Sequence, residues 1–133
     1  MSTLITLESA IALRRRPDED WQAFDIDIRL GSRTVSRLDG GKPTIRTMTV
    51  GFRMWTEYKV LADMPLATFA HECGHSYQTY MQHWPRSVLF VVNYLVLKSG
   101  VYEQQARSWV QSIMDGTHQY IRIADHIRPR FKQ

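Results

Sequence analysis

The residues best suited to chemistry in this chain lie close together, in the segment His71-Glu72-Cys73-Gly74-His75. Residues four apart in a helix project from the same face, so His71 and His75 can direct two imidazole nitrogens at one point. Two imidazoles at this spacing suit a tetrahedral zinc ion. Glu72 lies one residue after His71, close enough to contact a zinc-bound water without ligating the metal. The segment therefore predicts two zinc ligands and a general base.

These residue types together favour hydrolysis. Zinc lowers the pKa of a bound water molecule to about 7. A neighbouring carboxylate accepts the proton of that water and passes it to the leaving group, which for a peptide bond is an amine. We expect Glu72 to be the catalytic residue, Zn²⁺ the cofactor, and a peptide or protein the substrate. The alternative interpretation is a surface helix that carries two unrelated histidines.

The sequence around the motif predicts a helix over residues 65–83. Asp63 can cap this helix, and Pro65 suits its first turn, where the missing N–H has no intrahelical partner. Gly74 costs about 1 kcal/mol in a helix interior relative to alanine. Its presence therefore predicts that another backbone packs closely at that turn. Cys73 lies on another face from the histidines and is expected in the core.

A catalytic zinc site needs a third protein ligand and an open position. Glu103 is the favoured candidate because it opens a helix predicted over Tyr102–Met114, which can fold back against the motif helix. Its alternative role is a first-turn carboxylate favoured by the helix dipole. His83 points about 80–120° away from the two motif histidines around the helix axis. His118 and His126 stay open as further alternatives.

Cleavage of a peptide bond also requires a group that stabilises the oxyanion, commonly His, Tyr or Arg. His118, Tyr120 and His126 follow the Glu103 helix, and the first two are our candidates for this role. Ordinary core or surface positions are the alternative for each of them.

The first sixty residues are expected to be rich in strands. Apolar residues alternate over residues 21–30, which predicts a half-buried strand, and further strands are predicted over Thr34–Leu38 and about 44–55. The alternation of apolar residues is interrupted near Thr47, which suggests a bulge in the last of these strands. Helical spacing of apolar residues instead predicts a short amphipathic helix over residues 6–16.

The expected fold class is α+β, with a small antiparallel N-terminal sheet followed by an active-site helix and a second, ligand-bearing helix. The length of 133 residues suits a single domain, with residues 1–62 rich in strands and residues 63–133 helical. The apolar run Val88–Leu97 is interpreted as a buried helix. Asp115-Gly116 is expected to end the Glu103 helix, and a short helix or strand to follow.

The composition is that of an ordinary soluble protein, with 44% apolar and 23% charged residues. The net charge of +4 permits contact with nucleic acid but does not demand it. A single cysteine excludes a disulfide within the chain and fits a reducing compartment. No signal peptide is recognised, and the longest apolar run is too short to span a bilayer. We expect a cytoplasmic protein without a membrane span.

The motif and the Glu103 segment together carry a family resemblance. The stretch 71–78 (His-Glu-Cys-Gly-His-Ser-Tyr-Gln) and the stretch 102–106 (Tyr-Glu-Gln-Gln-Ala) resemble small gluzincin-type metallopeptidase-like domains of bacterial and phage genomes. In those domains a helix bearing HExxH, often followed by a glutamine, pairs with a helix reading Glu-x-x-Ala. The similarity covers about residues 63–114 and extends to SprT-like and ImmA/IrrE-type cores. It implies a zincin-like fold, zinc ligands His71, His75 and Glu103, and the base Glu72.

One position departs from the thermolysin-like pattern, and it leaves alternatives open. Arg107 stands where those enzymes carry an aspartate that orients a histidine, so the orienting group must come from elsewhere. One alternative is a non-catalytic zincin-like structural or interaction protein, for example a phage virion or injection-system component, that keeps the metal for stability. Another is a SprT-like peptidase that associates with nucleic acid. This is the least favoured alternative, and nucleic acid is not an expected partner. A protein partner that completes a shallow site is a further candidate.

Overall fold

The computed structural model of the chain describes residues 3–32, 47–81 and 101–131. They form an α+β fold in which a five-stranded mixed sheet packs against helices. The strands are β1 (Thr3–Leu13), β2 (Gln22–Leu30), β3 (Thr47–Val50), β4 (Arg53–Thr56) and β5 (Ile121–Ile123). The helices are α1 (Leu66–Met81) and α2 (Val101–Asp115). Within these ranges, no helix is both long and apolar enough to cross a membrane.

The strand order in the sheet is β3-β4-β2-β1-β5. β1 pairs antiparallel with β2 and with β5, and β3 pairs antiparallel with β4, whereas β2 and β4 run parallel. The predicted strand over 21–30 is confirmed as β2. The expectation of a purely antiparallel N-terminal sheet was wrong, because β4 joins β2 in parallel and β5 comes from the end of the chain.

The helix predicted over residues 6–16 was wrong, because this segment lies mainly in β1. The register between β1 and β2 shifts between Leu7 and Ile11, and Ser9 adopts a φ of 55° at this bulge. Three residues of β1, at positions 8–10, lie opposite the single residue Asp25 of β2. Extra residues in a strand interrupt the alternation of inward and outward side chains. Leu7, Ala10 and Ile11 are all buried as a result, and their spacing imitates that of a helix face.

The single strand predicted over residues 44–55 was also wrong, since it is a hairpin of β3 and β4. Val50 pairs with Arg53, so Gly51 and Phe52 form the turn. Gly51 has a φ of 63°, a conformation that glycine adopts without steric cost at the first position of a two-residue turn. The predicted strand Thr34–Leu38 and the predicted helix Val88–Leu97 lie outside the described residues.

The helix that carries the motif and the helix that begins near Glu103 are confirmed as α1 and α2. The backbone N–H of Phe69 donates to the carbonyl of Pro65, so the proline lies directly before α1. Gly116, with a φ of 76°, follows the last residue of α2 as expected.

The hydrophobic core lies between one face of the sheet and α1. Inward-facing side chains of β2 and β4, such as Ile26, Ile28 and Met54, meet Phe69 and Cys73 of α1, and all five are fully buried. The expectation that Cys73 is a small core residue is confirmed. This burial fixes the rotation of α1 and therefore the direction of the histidines on its other face.

Helices α1 and α2 approach each other most closely around Gly74. A Cβ atom added to Gly74 would lie 3.3 Å from the Cβ and 3.5 Å from the Cα of Ala106. The predicted close packing at Gly74 is therefore confirmed. His71 and Glu103 each lie three residues before these small residues, so the close approach places their side chains side by side.

We expect Gly74→Val to destabilise the fold by about 1–3 kcal/mol, because its side chain would overlap Ala106 and Trp109. Urea unfolding followed by circular dichroism measures this loss. Gln104→Val on the exposed face of α2 is the matched control, since it adds the same β-branched residue at an exposed position and should cost below about 1 kcal/mol. Equal losses for the two variants would contradict the close packing.

Candidate metal centre

Two turns, one in each helix, bring the three predicted metal ligands together. The rings of His71 and His75 lie on one face of α1, with centroids 4.9 Å apart and planes at 87°. Glu103, in the first turn of α2, faces both rings. Its Oε2 lies 2.7 Å from Nε2 of His71, and its Oε1 lies 3.1 Å from Nε2 of His75. The carboxylate therefore spans the two imidazoles.

The donor set fits a metal ion. His71, Glu72 and His75 offer ligand atoms that all lie within 4.8 Å of one another. Ligand atoms of a tetrahedral zinc ion lie roughly 3.3 Å apart, because each is about 2.0–2.1 Å from the metal. The separations between Glu103 and the histidines are slightly shorter than this edge. A small outward movement of the carboxylate makes room for an ion.

Gln78 fixes the orientation of His75. The side-chain Nε2 of Gln78 donates to the carbonyl of Tyr102 at 3.0 Å and to Oε1 of Gln105 at 2.8 Å. Its Oε1 is therefore the atom that faces His75, at 2.9 Å from the ring Nδ1. Because an amide oxygen only accepts, Nδ1 of His75 carries a proton and donates it. If the ring is otherwise neutral, the lone pair of its Nε2 is directed at Glu103.

This arrangement calls for a positive charge between His75 and Glu103. Two acceptors at hydrogen-bond distance repel each other unless a proton or a metal ion lies between them. Burial lowers the pKa of His75, but the hydrogen bond to Glu103 and the charge of Glu72 outweigh it, so the pKa rises above its usual value. Burial raises the pKa of Glu103, but hydrogen bonds to His71 and His75 outweigh it and hold the pKa far below its usual range.

Glu72 is buried next to the ligands and is held by the sheet. Its Oε1 accepts a hydrogen bond of 2.8 Å from the hydroxyl of Thr49 in β3. Its Oε2 lies 3.9 Å from Nε2 of His71. Burial raises the pKa of Glu72, and the nearby histidines and Thr49 oppose this only in part. A carboxylate with a raised pKa beside the ligands suits a general base.

The two candidate oxyanion stabilisers lie in a different group of side chains. His118 and Tyr120 pack with Tyr77 and Trp109 as an aromatic cluster. Nδ1 of His118 accepts hydrogen bonds from the backbone N–H groups of Tyr120 and Ile121, so the ring supports the start of β5. Their role at an oxyanion stays a prediction.

Among the described residues, His126 does not join the cluster of metal-ligating side chains. His126 lies exposed after β5, and His83 lies outside the described residues. Arg107 is exposed on α2. The orienting contact to His75 comes instead from Gln78 of α1.

Sequence reasoning missed the roles of Gln78 and Thr49. Gln78 lies three residues after His75, which places it one helical turn away and within reach of the ring. That spacing is a usable signal. Thr49 carries no such signal, because it reaches Glu72 from a strand 23 residues earlier in the chain.

No known protein family matches the chain, and neither a curated protein nor a solved structure is significantly similar to it. The interpretation of the metal centre therefore depends on the side chains and distances described above.

We expect Gln78→Met to weaken the affinity for Zn²⁺ by about 10–100-fold, the usual loss when a residue that orients a ligand is removed. Methionine is similar in length but cannot accept the proton of His75. Competition with a chromophoric chelator measures the affinity. Gln104→Met, at an exposed position of α2, is the control and should bind Zn²⁺ as the wild type does. Equal Zn²⁺ affinities of the two variants would contradict the role of Gln78.

The metal-free chain should show a characteristic pH dependence. The pKa of Glu103 is lowered in the folded chain, so its contribution to stability is present above 4.5 and is lost as the pH falls. The pKa of His75 is raised, so its contribution is present below 6.5 and is lost as the pH rises through the folded pKa. The stability lost in Glu103→Gln should therefore be largest between about pH 4.5 and 6.5.

Chemical denaturation of both proteins in the presence of a chelator, at several pH values, gives this difference directly. A difference that stays constant as the pH rises from 6.5 to about 9 would contradict the ion pair, because folded His75 loses its proton above 6.5.

Proposed function

We propose that this chain is a zinc-dependent hydrolase that cleaves peptide bonds. The convergence of His71, His75 and Glu103 on one point is the observation that carries the proposal. Two imidazole nitrogens and one carboxylate form a ligand set of catalytic zinc sites, and they leave one tetrahedral position open. Glu72 lies beside this set but is held through Thr49, which suits a base better than a fourth ligand.

When bound, zinc would act as a Lewis acid that lowers the pKa of water and polarises a carbonyl group. The protein supplies the proton transfer. Glu72, whose pKa burial raises, accepts a proton from the attacking water and later donates it to the leaving amine. Thr49 holds Oε1 of this carboxylate, so Oε2 is the oxygen that exchanges the proton. Gln78 keeps His75 in the tautomer that presents its Nε2 lone pair.

An extended peptide is the substrate class that the surroundings of the site favour. β3 is the outermost strand on its side of the sheet among the described residues, and its Thr49 contacts Glu72. An outer strand can pair with an extended peptide through backbone hydrogen bonds. Such pairing would lay a peptide bond across the face that carries Glu72.

A non-catalytic role is the second candidate, and one observation favours it. Gln78 and Glu103 connect α1 to α2 through half-buried hydrogen bonds. A metal ion in the same place would strengthen this connection, as in a structural or interaction protein that keeps the ion for stability.

Association with nucleic acid gains no support from the basic run Arg14–Arg16. Arg14 lies over the ring of Trp21 and Arg15 over that of Tyr80. Arg16 is paired with Asp18 and Glu19.

Metal content and cleavage together test the proposal. We expect protein purified without added metal to contain about one zinc ion per chain, and Glu103→Ala to lose most of it. Glu72→Gln should keep the zinc but lower the rate of peptide cleavage by about 100-fold or more, because the proton acceptor is removed.

A broad peptide library analysed by mass spectrometry measures the cleavage. If wild type and Glu72→Gln both retain zinc but cleave peptides at the same rate, or if neither cleaves, the hydrolase is rejected and the structural role remains. Absence of zinc from the wild type would reject both.

A further inference from the structure

A cavity of about 410 Å³ lies beside Gln78, and Glu72 is not among its described lining residues. Its walls include the four rings of the aromatic cluster, Tyr77, Trp109, His118 and Tyr120. Tyr77 is almost fully buried, whereas the other three rings are partly exposed. The volume lies within the range of about 300–1,000 Å³ that is usual for small-molecule sites. The faces and edges of these rings can stack against a planar aromatic ligand.

The described lining residues contribute charge of one sign. Arg15 is one of them, and none of them is an aspartate or a glutamate. The guanidinium of Arg15 lies 4.7 Å from the centroid of the Tyr80 ring, which holds the side chain against the protein. A single guanidinium matches a carboxylate through two parallel hydrogen bonds. A phosphate group, with its larger charge and three oxygens, usually requires more than one cation or several backbone N–H groups.

His118 adds a neutral hydrogen-bond donor to the lining. Because Nδ1 accepts hydrogen bonds from two backbone N–H groups, the ring proton lies on Nε2. Burial lowers the pKa of His118, which keeps the ring neutral near pH 7. The lining therefore combines aromatic surface, one cation and a neutral N–H donor.

We propose that this cavity binds a planar aromatic group that carries a carboxylate. A free aromatic acid and the C-terminal aromatic residue of a peptide both carry an aromatic ring and a carboxylate. A ligand bound here would contact Gln78, which orients His75. The cavity thus adjoins the metal centre, but binding to it does not require a metal ion or any cleavage.

Titration of the isotopically labelled intact chain, followed by nuclear magnetic resonance, tests the proposal. The probes are 3-phenylpropionate, the peptide Gly-Gly-Trp with a free carboxylate, and the C-terminal amides of both. We expect saturable shifts at the indole N–H of Trp109 and the side-chain amide of Gln78. The amides should bind about tenfold more weakly, the loss expected for one charge-assisted hydrogen bond. Tighter binding of the peptide acid identifies a peptide terminus, and tighter binding of 3-phenylpropionate a free acid.

Two matched arginine variants locate the carboxylate. Arg15→Gln should weaken binding of both acids by about tenfold. Arg16→Gln should leave it unchanged, because Arg16 pairs with acidic residues outside the cavity. The proposal is overturned by any of four results: no saturable shift at millimolar probe, equal binding of acid and amide, equal effects of the two variants, or tighter binding of a nucleoside monophosphate than of either acid.

Discussion

At the centre of this protein Nε2 of His75 and Oε1 of the Glu103 carboxylate face each other, 3.1 Å apart. Such a pair is stable only when a proton or a metal ion lies between the two groups. The contact exists because Gly74 and Ala106 let α1 and α2 approach closely, which places Glu103 beside both histidines. A larger residue at either small position would separate the helices and open the site.

Every layer of the fold contributes to this site. The core fixes the rotation of α1, so that Cys73 faces the sheet while the histidines face α2. Gln78 donates to the carbonyl of Tyr102 in the first turn of α2, the turn that also carries Glu103. Thr49 adds a contact from β3 to Glu72. Buried polar groups that are satisfied in this way hold one geometry, as a metal site requires.

The parts of the protein that depend on local spacing could be predicted from the sequence. The motif helix, the glutamate in the next helix, the close packing at Gly74 and the burial of Cys73 all follow from helical geometry or from the cost of glycine. The β1 segment could not, because a bulge at Ser9 gives a strand the apolar spacing of a helix. The parallel pairing of β2 with β4 and the return of β5 to the sheet are non-local, so no short pattern encodes them.

Zinc K-edge X-ray absorption spectroscopy of protein purified without added metal tests the central claim most directly. Coordination by His71, His75 and Glu103 predicts a first shell of nitrogen and oxygen only, at about 2.0–2.1 Å, with the outer-shell scattering of two imidazoles. In Glu103→Ala, any zinc that is still bound should have a changed first shell but should keep the outer-shell scattering of both imidazoles. A sulfur scatterer at about 2.3 Å, or the signature of a single imidazole, would contradict this metal centre.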